Sequence, residues 1–143
     1  MALIDTVRSD MVEAMREGDK QRVTALRLVL SELQKSAKDS DEDELTVLRR
    51  ERKRRLEAAE AYRTGGRAEL AEGEEAEAAL IAAYLPAELS DDELDELVRA
   101  AVQATGAASP KDMGRVMGQV MGEVDGRADG KRVSARVREA LGA

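Results

Sequence analysis

The sequence predicts an all-α fold, and three observations support that prediction. Ala, Leu, Glu, Arg and Val dominate the composition, and all of them except Val are good helix formers. Strand-like runs of alternating polar and apolar residues are absent, and the 143 residues include only two prolines. Apolar residues recur instead every three or four positions, which places them on one face of a helix. We expect an N-terminal helical hairpin or bundle followed by a C-terminal three-helix domain.

Four helices are predicted in the N-terminal part, over residues 2–17, 20–38, 44–64 and 67–84. Gly18 ends the first helix and Asp19 is placed to cap the second, so these two helices should form an antiparallel hairpin. Gly65 and Gly66 separate the third helix from the fourth. The residues expected to face the core share helical spacing: Leu3, Ile4, Val7, Met11 and Met15; Val23, Leu26, Leu30, Leu33 and Ala37; Leu45, Leu48, Arg52, Leu56, Ala59 and Tyr62; and Leu70, Ala76, Leu80, Ile81 and Tyr84.

A domain boundary is expected at Pro86, which stops the fourth helix. We therefore predict an N-terminal helical domain over residues 1–88 and a C-terminal three-helix domain over residues 89–143. The chain has only two aromatic residues, both tyrosines, so each core must be built from aliphatic side chains. Such cores favour small bundles over one deep globule.

Two helices of the C-terminal domain have clear start signals. Ser90 and Glu93 form a capping-box pattern at the beginning of a helix expected over 91–104. Ser109 is the expected N-cap of the next helix, and Pro110 is its first residue. Proline suits that position because the first N–H of a helix has no partner within the helix.

This helix carries a repeat of four residues, so that glycines, methionines and valines each form a stripe. The stripes are Gly114, Gly118 and Gly122; Met113, Met117 and Met121; and Val116, Val120 and Val124. Each interior glycine costs a helix about 1 kcal/mol relative to alanine, so we expect the glycines to let another backbone approach closely. Two interpretations remain open: tight packing within the three-helix domain, or an exposed face for an RNA backbone or a partner protein. The methionines are expected in the core.

The last helix is expected over 131–141. Its core-facing residues should be Val133, Val137 and Leu141. The loop before it, Gly126-Arg-Ala-Asp-Gly-Lys131, leads to a helix N-terminus, where backbone N–H groups and the cations Arg127 and Lys131 favour an anion. More arginines extend the positive surface: Arg132, Arg136 and Arg138. The alternative is a plain loop that ends in a capping Asp129.

The charge distribution is uneven. The net charge is −7, which is unusual for a nucleic-acid-binding protein, but residues 109–143 carry seven basic and five acidic side chains. The run Arg49–Arg55 contains six basic residues in seven. On a helix they spread around the circumference, so a solvated, salt-bridged helix is one interpretation and RNA contact is the other.

Several kinds of site are excluded or unsupported. The chain has no Cys and no His, which excludes disulfides, thiolate nucleophiles, zinc sites of the usual kind and imidazole catalysis. The carboxylate pairs Glu74-Glu75 and Asp91-Asp92 lie in highly charged stretches, and we expect them to be solvated and not catalytic. We predict no catalytic residue, cofactor or metal. No apolar run is long enough to span a membrane and no signal-peptide segment is evident, so a cytoplasmic location is expected.

Four segments and one arginine together carry a family resemblance. They are Tyr84-Leu-Pro-Ala-Glu-Leu-Ser90, Lys111-Asp-Met-Gly-Arg-Val-Met117, Gly126-Arg-Ala-Asp-Gly-Lys-Arg-Val133, Tyr62-Arg-Thr-Gly-Gly-Arg-Ala-Glu-Leu-Ala71, and Arg27 in the second helix. On these residues the chain resembles the GatB/YqeY family, specifically the stand-alone YqeY-like proteins, over essentially its whole length.

The resemblance implies a helical protein in two parts. The part from about residue 90 to residue 143 is similar to the tail domain of the B subunit of the tRNA-dependent amidotransferase, which uses glutamine to amidate misacylated Glu-tRNA(Gln) or Asp-tRNA(Asn). In that enzyme the tail domain contacts tRNA, and its signature is matched here by Gly118-Gln-Val-Met121 and Gly126-Arg-Ala128. The kinase-like catalytic cradle of that subunit has no counterpart in this sequence. The resemblance therefore implies a relative of the tail, and no amidotransferase activity of the chain alone.

The first hypothesis for function is a non-catalytic module that binds tRNA. The residues expected to hold phosphates are Arg115, Arg127, Lys131, Arg132 and Arg136, and those expected to let the backbone approach are Gly118, Gly122 and Gly126. The second hypothesis is a protein-interaction adaptor whose Gly/Met face docks a partner helix or an amidotransferase subunit. The third is an accessory to carbon–nitrogen ligase (amidotransferase) activity with glutamine as the amide donor.

Overall fold

The computed structural model describes residues 2–142, and over that range the chain forms seven α-helices, one short 3-10 turn and no strand. The all-α prediction is confirmed. The helices are α1 (Leu3–Glu17), α2 (Lys20–Asp39), α3 (Glu44–Thr64), α4 (Ala68–Ala82), α5 (Asp91–Thr105), α6 (Met113–Val124) and α7 (Gly130–Ala140). The chain divides into two compact units, the first ending at Pro86 and the second beginning at Ala87.

In the first unit, α1 and α2 form a hairpin whose connection follows the sequence signals. Gly18 ends α1 with a φ of 74°, a left-handed conformation that suits glycine. The Asp19 side chain accepts a hydrogen bond of 3.1 Å from the backbone N–H of Arg22 and so caps α2. Both predictions for this turn are confirmed.

The start of α1 is capped by a residue distant in sequence. Its own N-cap residue, Ala2, has no side chain that could accept a hydrogen bond. The Glu44 carboxylate, at the start of α3, accepts from the backbone N–H groups of Leu3 (3.2 Å) and Ile4 (2.9 Å) instead. A carboxylate at this position also complements the positive end of the helix dipole. This contact ties α3 to the first hairpin.

The core of the first unit is aliphatic. Its buried members are Val7, Ala14, Leu26, Val29, Leu30, Leu33, Val47, Leu48 and Ile81. Five residues expected to face it are exposed instead: Met15, Ala37, Leu56, Leu70 and Ala76. On α3 and α4 the alanines Ala59, Ala71 and Ala78 are buried. Small side chains allow two helices to approach closely, so leucines next to the contact are left outside it.

A group of charged side chains lies where α3 meets α4. Glu51 is only 4% exposed and accepts a hydrogen bond of 3.0 Å from Arg54 Nη1. The Arg55 guanidinium lies 3.8 Å from Glu51, 3.8 Å from Glu74 and 3.4 Å from Glu77. The basic run Arg49–Arg55 is therefore salt-bridged, as one interpretation of the sequence expected. The same interpretation expected solvated side chains, and this is wrong for Glu51 and Arg55. Glu74 is also half-buried, and one of its oxygens is buried without a hydrogen bond, so its expected solvation is wrong.

Tyr84 connects the end of the first unit to α1. Its phenol donates a hydrogen bond to the Asp10 carboxylate, across 74 residues of sequence. Burial, followed by this hydrogen bond, raises the pKa of the Tyr84 phenol well above its usual range, so the side chain stays protonated and remains a donor. The expectation that Tyr84 contacts the core is met, and its hydroxyl has a specific partner.

The second unit is a three-helix arrangement of α5, α6 and α7 around its own aliphatic core. Its buried members are Leu89, Leu94, Val98, Ala101, Val116, Val120, Val124, Ala128, Val133, Val137 and Leu141. The expected α7 face of Val133, Val137 and Leu141 is confirmed. The backbone N–H of Leu89 donates to the carbonyl of Arg127 at 2.8 Å, which holds the segment before α5 against the loop before α7.

The capping box of α5 is formed as predicted. The Glu93 N–H donates to Ser90 Oγ at 3.1 Å, and the Ser90 N–H donates to Glu93 Oε1 at 2.9 Å. The start of α6 differs from the prediction, because Pro110–Asp112 form a 3-10 turn and the α-helix begins at Met113. The Asp112 carboxylate accepts from the backbone N–H groups of Ala108 and Ser109, which tightens this first turn.

Two absences hold for the residues that the structure describes. None of the helices between residues 2 and 142 is both long enough and apolar enough to cross a bilayer. Across the same residues, no group of three or more carboxylates is arranged to hold a metal ion.

Removing the Ser90 side chain should weaken α5. We expect Ser90→Ala to cost about 1 kcal/mol, because the backbone N–H of Glu93 loses its capping partner, Ser90 Oγ. Amide hydrogen exchange in α5 measures this directly and avoids assuming that the two units unfold together. Ser31→Ala, at an exposed position within α2, is the matched control. Equal exchange in α5 for the two variants would show that the capping box contributes nothing.

Candidate functional site

The four-residue repeat gives α6 two opposite sides. Val116, Val120 and Val124 are buried in the core of the second unit. Successive residues of a helix are rotated by about 100°, so the glycine stripe lies on the side that faces away from this core. Gly114, Gly118 and Gly122 are all exposed. The outer side of α6 is therefore bare backbone over most of its length.

The space beside these glycines is empty. A Cβ atom added to Gly114, Gly118 or Gly122 would meet no heavy atom within 4 Å. The interpretation in which the glycines permit tight packing within the three-helix unit is therefore wrong. The valine stripe packs instead, because its side chains point into the core of the second unit. The interpretation of an exposed small-residue face agrees with this geometry.

Different side chains border the glycine stripe on its two sides. Met113 and Met117 pack against the core and are partly buried, whereas Met121 is 39% exposed. The prediction of a buried methionine stripe is thus wrong for Met121. The other border is polar, and there the Gln119 amide donates to Glu123 at 3.2 Å. We call the glycine stripe together with its methionine border the α6 face.

The arginines of α7 pair with carboxylates of α5. Arg132 donates two hydrogen bonds to Asp91 Oδ1, from Nη2 at 2.8 Å and from Nε at 3.2 Å. Arg136 donates two hydrogen bonds to the Asp95 carboxylate, from Nε at 2.7 Å and from Nη2 at 2.5 Å. Glu139 lies 3.7 Å from the same guanidinium. These bonds hold α7 against α5.

The ion pair between Asp95 and Arg136 shifts the pKa of both side chains. Hydrogen bonding to Arg136, more than the opposing effect of burial, holds the pKa of the Asp95 carboxyl below its usual range. The same hydrogen bond raises the pKa of the Arg136 guanidinium. Asp95 is therefore ionised in the folded chain near neutral pH, and its carboxylate is the counter-ion of Arg136.

Arg115 is also engaged. Its Nη2 lies 2.5 Å from Asp112 Oδ1, and its Nη1 donates to the carbonyl of Thr105 at 3.3 Å. The backbone N–H of Ala108 and then the Arg115 side chain hold the pKa of the Asp112 carboxyl below its usual range. The Arg115 side chain nevertheless stays mostly exposed, so its ion pair with Asp112 contributes little to stability.

The loop before α7 is held by hydrogen bonds within the second unit. Gly126 has a φ of 74°, and the Arg127 side chain donates from Nε to the carbonyl of Ala87 at 2.8 Å. The Asp129 side chain accepts a hydrogen bond of 3.4 Å from the backbone N–H of Lys131 and so caps α7. An external anion at this helix N-terminus would compete with the Asp129 carboxylate. Lys131 is exposed.

The predicted site residues do not form one cluster. Gly118 and Gly122 lie on the outward side of α6, and Arg115 is paired with Asp112. Arg132 and Arg136 bind carboxylates of α5. The rest lie in the loop before α7 or at the start of that helix: Gly126, Arg127 and Lys131. The sequence interpretation did not include the acidic partners Asp91 and Asp95, which are spaced by four residues. Their partners on α7 have the same spacing, and this match between two amphipathic helices was the available signal.

Comparisons with known proteins support the family resemblance that the sequence motifs indicated. A protein-family model described as "Yqey-like protein" matches residues 4–141, nearly the whole chain. An uncharacterized protein of the fission yeast Schizosaccharomyces pombe is 31% identical over 90 residues, which cover 59% of this chain and 73% of the yeast protein.

The Arg136–Asp95 pair should make stability depend on pH in the acid range. Because the folded chain lowers the pKa of Asp95 below its usual value of about 3.9, the pair stabilises the fold above that value and is lost as the pH falls towards the lowered pKa. Asp95→Asn should therefore lower Tm near neutral pH, and the difference from the parent should shrink on acidification.

Thermal unfolding followed by circular dichroism across this pH range measures that difference. Asp92→Asn, which removes a carboxylate from the same helix and leaves the ion pair intact, is the matched control. A Tm difference for Asp95→Asn that does not change with pH would contradict the assigned coupling.

Proposed function

Since the chain belongs to the YqeY-like protein family, we propose that it is a non-catalytic docking module whose second unit receives a helix of a partner protein on the α6 face. The observation that carries this proposal is the outward glycine stripe with empty space beside each residue. Alanine at each of these positions would favour the helix by about 1 kcal/mol, and no contact within the unit accounts for the glycines.

The chemistry of the α6 face suits a protein helix. Bare backbone lets a second helix come close enough for dispersion contacts and Cα–H···O contacts along its length. The border formed by Met117 and Met121 is apolar and adaptable, so it fits aliphatic side chains of varied shape. The opposite border, with Gln119 and Glu123, can form hydrogen bonds with polar residues at the edge of the partner. An amidotransferase subunit is the partner class that the family resemblance suggests.

Binding of tRNA is the second candidate, and a specific observation favours it. Residues 109–143 have a surplus of basic side chains, and Lys131 and Arg127 lie on the loop that matches the tail-domain signature. The geometry gives it less support than the first candidate, since Arg115, Arg132 and Arg136 already have carboxylate partners. A phosphate contact through any of these three arginines would have to displace its carboxylate partner. An accessory role in amidotransferase activity would follow from either kind of binding.

Substitution at Gly118 tests the docking proposal. We expect Gly118→Leu to abolish capture of a partner protein from an extract of the source organism, because the side chain would stand on the contact surface. The same change should stabilise α6 by up to about 1 kcal/mol, so loss of capture could not be ascribed to unfolding. Ala135→Leu, at an exposed position of α7, is the matched control and should retain the partner. Retention by Gly118→Leu would exclude this surface.

Salt dependence tests the tRNA candidate. Phosphate-led binding should give fluorescence anisotropy changes at about 50 mM salt that are largely lost at about 200 mM. The double variant Arg127→Glu, Lys131→Glu should remove the binding, while Lys53→Glu in the first unit should not. No binding of tRNA at the lower salt concentration would exclude this candidate, and affinity that survives the charge reversal would move the site elsewhere.

A further inference from the structure

The first unit has a polar pocket where α2 ends and α3 begins. Its cavity volume is about 370 Å³, within the range of small-ligand sites. Two hydroxyl groups and three cations line it: Ser36, Ser40, Lys35, Arg50 and Arg54. All five are potential hydrogen-bond donors, and phosphate oxygens are acceptors. The α6 face does not involve these residues.

The two hydroxyl groups are close together and are occupied only by local contacts. Ser36 Oγ and Ser40 Oγ lie 3.2 Å apart, and Ser40 Oγ also donates to the carbonyl of Ser36 at 3.2 Å. The backbone N–H of Glu42 also donates to Ser40 Oγ at 3.4 Å. Hydroxyl groups rotate freely, so both can turn towards one ligand oxygen at the loss of these neutral hydrogen bonds. Ser40 is the C-cap of α2 and lies in extended backbone, where its side chain reaches solvent.

The cations differ in how firmly they are held. Lys35 forms no ion pair with a carboxylate among residues 2–142. Arg50 pairs with Glu42 at 2.7 Å, and these side chains are 40% and 38% exposed. An exposed pair of this kind contributes at most about 1 kcal/mol. Glu42 lies in the short connection between α2 and α3, outside both helices, so its side chain can leave without disturbing either helix.

The pocket also contains carboxylates, and they determine which anion fits. Glu32, Asp39 and Glu42 balance the three cations in formal charge. A monoanion offers Arg50 no more charge than Glu42 already supplies. A phosphate monoester carries close to two negative charges at neutral pH and has three acceptor oxygens, so it can displace Glu42.

We propose that this pocket binds the phosphate group of a small phosphate monoester, with Arg50 exchanging Glu42 for the ligand. Lys35 approaches the remaining phosphate oxygens, and so does Arg54 with the guanidinium donors that its hydrogen bond to Glu51 leaves free. The hydroxyl groups of Ser36 and Ser40 donate to the same phosphate. The internal phosphates of a nucleic acid are diesters with one negative charge each and lack this advantage over Glu42. The pocket is thereby assigned to a small phosphorylated molecule.

Two small probes separate these ligand classes. Methyl phosphate, a monoester, should shift the amide NMR signals of the full chain in a saturable way at residues 35–42 and 50–54. Dimethyl phosphate, the matched diester, should produce no saturable shift at those positions. Saturation by both probes with equal affinity, or by neither, would overturn the proposal.

Substitutions then test the role of each group. Glu42→Gln should strengthen methyl phosphate binding about threefold, because the competing carboxylate is removed. Ser40→Ala should weaken binding about fivefold and Arg50→Ala about tenfold, in line with neutral and charge-assisted hydrogen bonds.

Matched controls come from the exposed pair Arg63–Glu75, which joins α3 to α4 away from the pocket. Arg63→Ala and Glu75→Gln should leave the affinity unchanged. Unchanged or weaker binding in Glu42→Gln would overturn the proposal. Ser40 and Glu42 are both exposed, so their variants test it even if Arg50→Ala fails to fold.

Discussion

Burial of the valine stripe of α6 is the constraint on which the functional surface depends. Val116, Val120 and Val124 point into the core between α5 and α7. The period of the helix then fixes the direction in which every other residue of α6 faces. Residues on the same helix cannot face the core together with those valines if they lie half a turn away. The glycines are exposed for that reason. The α6 face is a consequence of core packing, and its flatness comes from glycine having no side chain.

The ion pairs between α5 and α7 stabilise the second unit, and this limits what the same side chains contribute to ligand binding. Asp91 and Asp95 on α5 stand opposite Arg132 and Arg136 on α7, and the bonds between them align the two helices. A guanidinium held in this way contributes less to an external ligand, since the ligand must first displace the carboxylate. The positive charge available to a ligand on the folded surface is consequently smaller than the count of basic residues suggests. This shifts the balance of the two candidate functions towards a protein partner.

The first unit is stabilised by contacts that join distant parts of the chain. Glu44 caps α1, Tyr84 is bound to Asp10, and Arg55 links α3 to carboxylates of α4. Three of the six buried apolar residues of α3 and α4 are alanines, so close approach and ion pairing partly replace a leucine core between these helices. The burial of Glu51 is tolerated because Arg54 and Arg55 approach its carboxylate. The same basic segment supplies Arg50 and Arg54 to the polar pocket.

The sequence by itself determined the elements whose signals are local. Helical periodicity, the cap at Asp19, the Ser90–Glu93 box and the family motifs could all be recognised, because each depends on residues within a few positions of one another. Tertiary structure decided which face of each helix was covered. Leu56 and Leu70 resemble core residues in any local window, yet neighbouring alanines occupy the contact. The four-residue repeat likewise defined three stripes on α6 without indicating which stripe was buried. Only the positions of α5 and α7 selected the valines, since burial is a property of what lies opposite a residue and not of the residue alone.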